Sequence, residues 1–285
     1  MSEIHCSTHL NVMYYHPVNQ NSRKDFSTVR KWLQGRIPFT FIRFSDGEME
    51  IIRNQPLKIG KGVISWRKGE FTNRYPVYDE KEFNPTKDVA LRDELIQAAK
   101  YRHSHFLKGI PASHNGALSD RNLMIELNGN SIANLTFSDL FLNQNFLKFR
   151  NQIVPIFMGF DNVFVLGNFR MKPVLLNRKW RLIPIPDNAF PKFDQVIKDT
   201  MDELSIVPRN SLVLASASSL SNIIGKRLYE IRKDITFFDV GTSMHDLMGL
   251  DLGIREYHWV LMPNNRTGIK AKINLLRRRS FWLKW

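Results

Sequence analysis

Asp46 and Glu48 stand two residues apart in "FIRFSDGEME", where an apolar, strand-like run gives out, with Gly47 between them. In an extended chain the side chains at i and i+2 point the same way, and a glycine between them lets the backbone turn tightly around a ligand. Two carboxylates so placed can converge on a hard divalent ion such as Mg²⁺ or Mn²⁺. Such ions take oxygen ligands and are often held by one or two protein carboxylates, with phosphates and water completing the shell. The stretch "SDGE" also has the form Ser-x-x-Glu of a capping box, in which Ser45 and Glu48 satisfy the first amides of a helix over "MEIIRN". The spacing serves a metal site, a cap, or both. Arg43, on the same side of the strand as Ser45, reads equally as a phosphate ligand or as a salt-bridge partner of the acids.

Three later stretches repeat the theme of polar residues at the end of an apolar run. "VLASASSLSNIIGKRL" sets Ser216, Ser218 and Ser219 between a strand and a helix, where free amides and a positive dipole end suit a phosphate and where a serine also makes an ordinary N-cap. "IPDNAF" puts Asp187 and Asn188 after another strand, placed for a sugar hydroxyl, a base edge or a cap. "FFDVGTSMHD" brings Asp239 and Gly241 to a strand end, followed by His245 beside Asp246, a pair that is either catalytic or a coincidence of neighbours. His103 and His105 have no Cys or Asp cluster at zinc spacing and read as a helix end. No GxxxxGK[ST], no GxGxxG after a strand and no GxSxG occurs, so a P-loop, a standard dinucleotide fold and a hydrolase elbow find no support.

These residues need a scaffold, and the chain is large enough to build one. Its 285 residues, 43% hydrophobic, can bury a full core as one large domain or two closely joined ones. From residue 162 on, the strands "NVFVLG", "RLIPIP", "SLVLAS" and "TFFDVG" alternate with the helices "KPVLLNRKW", "FPKFDQVIKDTMDEL" and "SLSNIIGKRLYEIR". Short apolar strands alternating with helices predict a Rossmann-like α/β fold, a mostly parallel sheet with helices on both faces. Earlier, "FSTVRKWLQG" reads as a helix, "PFTFIRF" as a strand, "TKDVALRDELIQAAKY" as an amphipathic helix and "HFLKGIP" as a buried strand. Residues 119–160 look mainly helical without clear boundaries. Gln55 to Pro85 lacks periodicity and reads as a long lid loop. The expected organisation is an irregular segment 1–25, a catalytic unit 26–260 and a tail 261–285.

Lys and Arg exceed Asp and Glu by 41 to 27, a formal charge of +14 that selects anionic partners without naming one. The single cysteine, Cys6, excludes an internal disulfide framework and suits a reducing compartment, cytoplasmic by default. The beginning has no signal-peptide pattern and no apolar run reaches the roughly 20 residues that span a bilayer. The last sixteen residues, "KAKINLLRRRSFWLKW", hold six basic side chains and no acid among Leu, Phe and Trp. That mixture suits an anionic membrane surface, a phosphate backbone, or a solvated tail packed by its aromatics.

Taken in order, "RFSDGE", "DNAF", "VLASASS" and "FFDVG" resemble the GT-D type glycosyltransferases, a family first recognised as a domain of unknown function in bacterial glycosylation loci. The resemblance runs over roughly residues 26 to 250, with Ser45 standing where members carry Gly. It implies a nucleotide-sugar donor, a UDP-sugar favoured, with Asp46 and Glu48 holding Mn²⁺ or Mg²⁺ against the diphosphate. Arg43, Asn188, Ser216, Ser218, Ser219, Asp239 and Gly241 would line the nucleotide-sugar site, and Asp246 or His245 would serve as the base near the acceptor hydroxyl. The acceptor would be a glycan, glycoprotein or glycolipid, reached at the inner face of the membrane if the tail binds there, and no nucleic acid is expected as a partner. A metal-dependent nuclease would also use paired acids and a basic surface, and a nucleotide- or glycan-binding protein without turnover would keep the same residues.

Overall fold

The computed structural model describes residues 22–60, 63–64, 76–111, 117–173, 180–250 and 257–258. The membrane expectation for the C-terminal tail and most of the helix expected over "KPVLLNRKW" lie outside these. Helix α1 (Ser22–Gln34) leads into β1 (Thr40–Arg43) and the short α2 (Asp46–Ile52). After β2 (Leu57–Gly60), β3 (Val63–Ile64) and β4 (Lys81–Phe83) come α3 (Val89–Lys100), β5 (Phe106–Ile110), α4 (Ala117–Leu127) and β6 (Leu135–Phe137). Helices α5 (Phe146–Gln152) and α6 (Val154–Phe157) follow, then β7 (Val163–Asn168), β8 (Trp180–Ile185), α7 (Phe193–Ser205), β9 (Leu212–Ser216), α8 (Ser219–Ile231) and β10 (Thr236–Asp239).

Among the described residues seven strands form one sheet in the order β6-β5-β1-β10-β9-β7-β8, with every pairing parallel. Alternate residues along each strand feed two separate cores, as the period of two requires. Ile42, Phe164, Leu166, Val213 and Phe237 pack on one face with α3, α7 and α8, while Phe41, Val163, Val165, Leu214 and Phe238 pack on the other with α1, α5 and α6. The second core is aromatic, with Phe41, Phe141, Phe157 and Phe238 linked by ring contacts between 5.0 and 5.6 Å. The α/β architecture with both faces covered is therefore as the alternation of elements requires.

Two expectations change. The stretch read as a lid contains a three-stranded antiparallel sheet, β3-β2-β4, whose inward residues Leu57, Ile59 and Phe83 join the first core. Each of its strands is four residues or fewer, too short for alternation to stand out in sequence. The segment read as mainly helical also carries β6, whose three residues LTF are all buried at the sheet edge. A continuously buried triplet has the same pattern in a strand and a buried helix.

The first and last strands of the sheet in sequence, β1 and β10, lie side by side, and the loops after them open at the carboxyl ends of the strands. Gly225 in α8 allows this helix to press onto them, since a Cβ there would come within 2.7 Å of Ile42 and 2.9 Å of Phe237. Among the described residues no helix is long and apolar enough to cross a membrane.

Candidate active site

A cleft of about 340 Å³ opens at the carboxyl ends of the parallel strands, within the range of sites that bind small molecules. Ligands in open α/β sheets sit in that position because the loops there diverge and leave backbone and side-chain groups facing outward.

Asp46 and Glu48 do not lie on a strand. β1 stops at Arg43, and the two acids occupy the first turn of α2, so the i, i+2 convergence expected of an extended chain does not apply. The capping box forms, with one Glu48 oxygen accepting from the Ser45 N–H at 3.0 Å. The other Glu48 oxygen accepts from the Ser219 hydroxyl at 3.0 Å and lies 3.5 Å from that of Ser218. Glu48 thus ties the start of α2 to the start of α8, 171 residues away in sequence. Asp46 faces the cleft, and its carboxylate accepts from the Gly47 N–H at 3.1 Å.

The serine turn behaves differently from an N-cap. Ser218 occupies the N-cap position of α8 with φ 52° and ψ −141°, and its side chain makes no cap. Its hydroxyl accepts from Lys81 Nζ of β4 at 2.7 Å, and the Ala217 N–H is taken instead by the Ser221 hydroxyl at 2.9 Å. The start of a thirteen-residue helix therefore faces the cleft without a side-chain cap, beside a lysine. Ser216 and Ser218 line the cleft, whereas Ser219 is buried behind it.

Arg43, at the end of β1, donates to Asp239 at the end of β10 across 3.0 Å. Burial alone would lower the Arg43 pKa, but Asp239, Tyr257 and Glu48 outweigh it and the value rises, so the guanidinium stays charged. Burial raises the Asp239 carboxyl, opposed by Arg43 and by the Gly241 N–H at 2.9 Å. Gly241 has φ 48°, and a Cβ there would lie 1.9 Å from the Arg43 guanidinium, so only glycine lets the arginine pass. Arg43 is accordingly part of the cleft wall and ion-paired, though with Asp239 of β10 and not with Asp46 or Glu48 as the neighbouring sequence suggested.

Asn188, also in the left-handed region with φ 42°, lines the cleft and accepts from the Glu82 N–H at 3.1 Å, fastening the small sheet to the rim. Asp187 turns away to Asn168, at 2.7 Å, and to Arg170. His245 lines the cleft with Nε2 3.1 Å from the Ser216 hydroxyl. Asp246 does not line it: Arg150 of α5 grips both of its oxygens, at 3.2 and 2.9 Å. That geometry removes Asp246 as a base. A carboxylate held in a bidentate pair outside the cleft lining is not placed to meet an acceptor hydroxyl there. His103 is hydrogen-bonded to the Tyr229 hydroxyl at 2.6 Å and does not line the cleft, as suits a structural histidine.

Sequence reasoning missed Lys81, Ser138, Asp139, Asn143 and Tyr257, all of which line the cleft. Asp139 follows β6 and is 5% exposed. Burial pushes its carboxyl up to about 6, against the lowering effects of the Asn143 side chain, Arg121 and Arg43. The signal available was "TFSD", a polar pair at the end of the β6 run, obscured by the unassigned segment around it.

No family model matches the chain, and no curated protein matches it. Three solved structures are similar in chain path. One, a selenomethionine-substituted structure of domain of unknown function 1792, has a TM-score of 0.48 at 14% identity, covering 79% of this chain and 81% of that one. A second, described as that highly conserved domain with a distinct glycosyltransferase fold, has a TM-score of 0.49 at 14% identity over 79% of this chain and 81% of that one. A third, described as a new glycosyltransferase from Streptococcus sanguinis, has a TM-score of 0.49 at 15% identity over 79% of this chain and 84% of that one.

Proposed function

We propose that the protein is a glycosyltransferase that binds the diphosphate of a nucleotide-sugar donor between the start of α8 and the Arg43–Asp239 pair. The observation that carries the reading is the junction of the Asp46–Glu48 turn with the Ser216–Ser219 turn through the Glu48–Ser219 hydrogen bond at 3.0 Å. That junction supports one site built from two of the motifs that resemble GT-D enzymes. It gathers groups that suit a diphosphate in one cleft: the positive end of α8, the Lys81 ammonium and the Arg43 guanidinium.

The residues fit a hard cation of the Mg²⁺ or Mn²⁺ class only as a partial shell. Among the described residues no three His, Cys, Asp or Glu side chains gather as a metal centre. Both Glu48 oxygens accept protein hydrogen bonds, so Asp46 would be the principal ligand and Glu48 a neighbour, the rest of the shell coming from phosphate and water. Bound there, the ion would offset charge developing on the leaving diphosphate. Whatever the ion adds, Lys81, Arg43 and the positive end of α8 would hold the phosphates, and Ser138, Asn143 and Asn188 offer polar contacts for sugar and base. A UDP-sugar donor and a glycan, glycoprotein or glycolipid acceptor follow from the family resemblance and are part of the proposal, as is docking of the basic aromatic tail on an anionic membrane.

The test is a thermal-melt panel of UDP, GDP, CDP and dTDP with Mn²⁺ or with EDTA, on the native protein and Asp46→Asn. At about 100 times its dissociation constant a ligand adds roughly 2.7 kcal/mol, a shift of a few degrees. One nucleotide is expected to stabilise the native protein, more with Mn²⁺ than with EDTA, and the Mn²⁺ increment is expected to vanish in Asp46→Asn. Stabilisation by DNA or RNA alone, fading with salt, would sink the reading.

A further inference from the structure

We propose that Asp139 is the catalytic base that accepts the proton of the attacking acceptor hydroxyl, an assignment that rests on the glycosyltransferase reading. Asp46, Asp79 and Glu80 also line the cleft, Asp79 and Glu80 from the half-buried turn before β4 and with one Asp79 oxygen lacking a hydrogen bond, while three further carboxylates are committed elsewhere. Asp239 is paired with Arg43 and the Gly241 amide, and Glu48 joins α2 to α8 through both oxygens. Asp246, which the sequence suggested as a base, lies away from the cleft in the grip of Arg150. Asp139 is as buried as Asp239, and its side chain accepts from the Asn143 amide at 3.4 Å and from its own backbone N–H, with no ion pair within contact distance among the described residues. A carboxylate buried in the cleft wall without a salt-bridge partner is costly to keep ionised, which makes a reactive role the economical explanation.

Its surroundings suit proton uptake at neutral pH. The charged groups facing it are Arg121 from α4 and Arg43 from β1, with Asn143 from the turn that follows β6. The two arginines act at longer range than a salt bridge, while burial holds the carboxyl near 6. A base with that value is ionised at pH 7 and above, and still basic enough to take a proton as the acceptor oxygen loses electron density. Asp139 enters from the β6 side of the cleft and the diphosphate-binding turn from the β9 side, so the sugar would lie between them. The acceptor oxygen forms its bond to the anomeric carbon as its proton passes to an Asp139 oxygen. The bond from that carbon to the diphosphate oxygen breaks, and its electron pair leaves with the diphosphate. Attack from the face opposite the leaving group inverts the anomeric configuration.

Water can stand in for the unidentified acceptor, because hydrolysis of the donor needs the same base. The UDP-, GDP-, CDP- and dTDP-sugars of glucose and galactose are incubated with native protein, Asp139→Asn and Asp139→Ser in Mn²⁺, and nucleoside diphosphate release is followed from pH 5 to 8.5. The native kcat/KM is expected to fall below a pH near 6 with one-proton slope. Asp139→Asn should lower it a hundredfold to ten-thousandfold and abolish that acid limb, while nucleoside diphosphate affinity stays within about twofold. NMR of the released sugar should show inversion. If the native protein hydrolyses donor and either variant keeps both rate and acid limb, Asp139 is not the base and the glycosyltransferase reading stands. Retention of configuration overturns the base role in the same way. If the native protein binds a nucleoside diphosphate but turns over no sugar nucleotide, both the base and the transferase reading fall, leaving a nucleotide-binding protein. The serine variant keeps the test decisive should the asparagine variant misfold.

Discussion

The turns that follow β6 and β10 each present an aspartate, and the two aspartates have opposite settings. Asp139, two residues past β6, is buried against the cleft without a salt-bridge partner, its carboxyl pushed up to about 6 by burial. Asp246, seven residues past β10, is locked to Arg150 through both oxygens and does not line the cleft. Neighbouring sequence pointed to Asp246, because it adjoins His245; space points to Asp139. A carboxylate paired with arginine contributes to stability, whereas a desolvated one with little pairing gives up stability to remain reactive.

Activity should separate the two turns by the widest margin. Asp139→Asn is expected to cost at least a hundredfold in donor turnover, and Asp246→Asn no more than a few-fold, in parallel initial-rate assays with the same donor. Equal losses would erase the distinction between the two turns.

Next in size is the stability of the paired turn. Asp246→Ala leaves the Arg150 guanidinium, whose side chain is 16% exposed, without its partner, and about 3 kcal/mol of unfolding free energy should be lost in urea denaturation. A change under about 0.5 kcal/mol would show that the bidentate pair is only a surface contact.

The unpaired turn should respond with the opposite sign. A carboxyl whose folded pKa lies above its unfolded value binds its proton more tightly in the fold, so its favourable contribution is present in acid and lost as pH rises through about 6. Asp139→Asn is therefore expected to stabilise at pH 8, by about 1 to 2 kcal/mol, and to be near neutral at pH 4. The shift alone would imply roughly 3 kcal/mol, but Arg121 and Arg43 lose a nearby negative charge in the variant. Unfolding curves at the two pH values decide it, and a destabilisation at pH 8 would mean that the arginines depend on Asp139 more than burial opposes it.

The smallest effect concerns the opposite wall of the cleft. Ser218 has a backbone conformation that only glycine adopts readily, and Ser218→Gly should gain about 1 kcal/mol by relieving it, read as a rise of a few degrees in melting temperature. A fall instead would assign more weight to the Lys81–Ser218 hydrogen bond than to the strained backbone.

Much of the fold was legible because its signals are local. "NVFVLG", "SLVLAS" and "TFFDVG" became β7, β9 and β10, since a strand buried on both faces is apolar throughout. β6 and the small β3-β2-β4 sheet were not legible, since strands of two to four residues carry no measurable period. At the site, Arg43, Asp46, Asn188, Ser216, Ser218, Asp239, Gly241 and His245 all reached the cleft because each stands at a strand's carboxyl end or soon after it. Lys81 and Asp139 were missed because they belong to, or follow, the strands that the pattern hid.

The order of short apolar runs and polar turns by itself determined the parallel α/β frame and the edge on which the polar turns gather, since burial period and turn chemistry act over a few residues. Which of those polar groups pair was decided by the tertiary structure alone. Glu48 meets Ser219, Arg43 meets Asp239 and Arg150 takes Asp246 only when segments distant in sequence are placed side by side. A carboxylate becomes a cap, a salt-bridge partner or a candidate base according to its burial and its nearest charge, and neither is written in its own segment of chain.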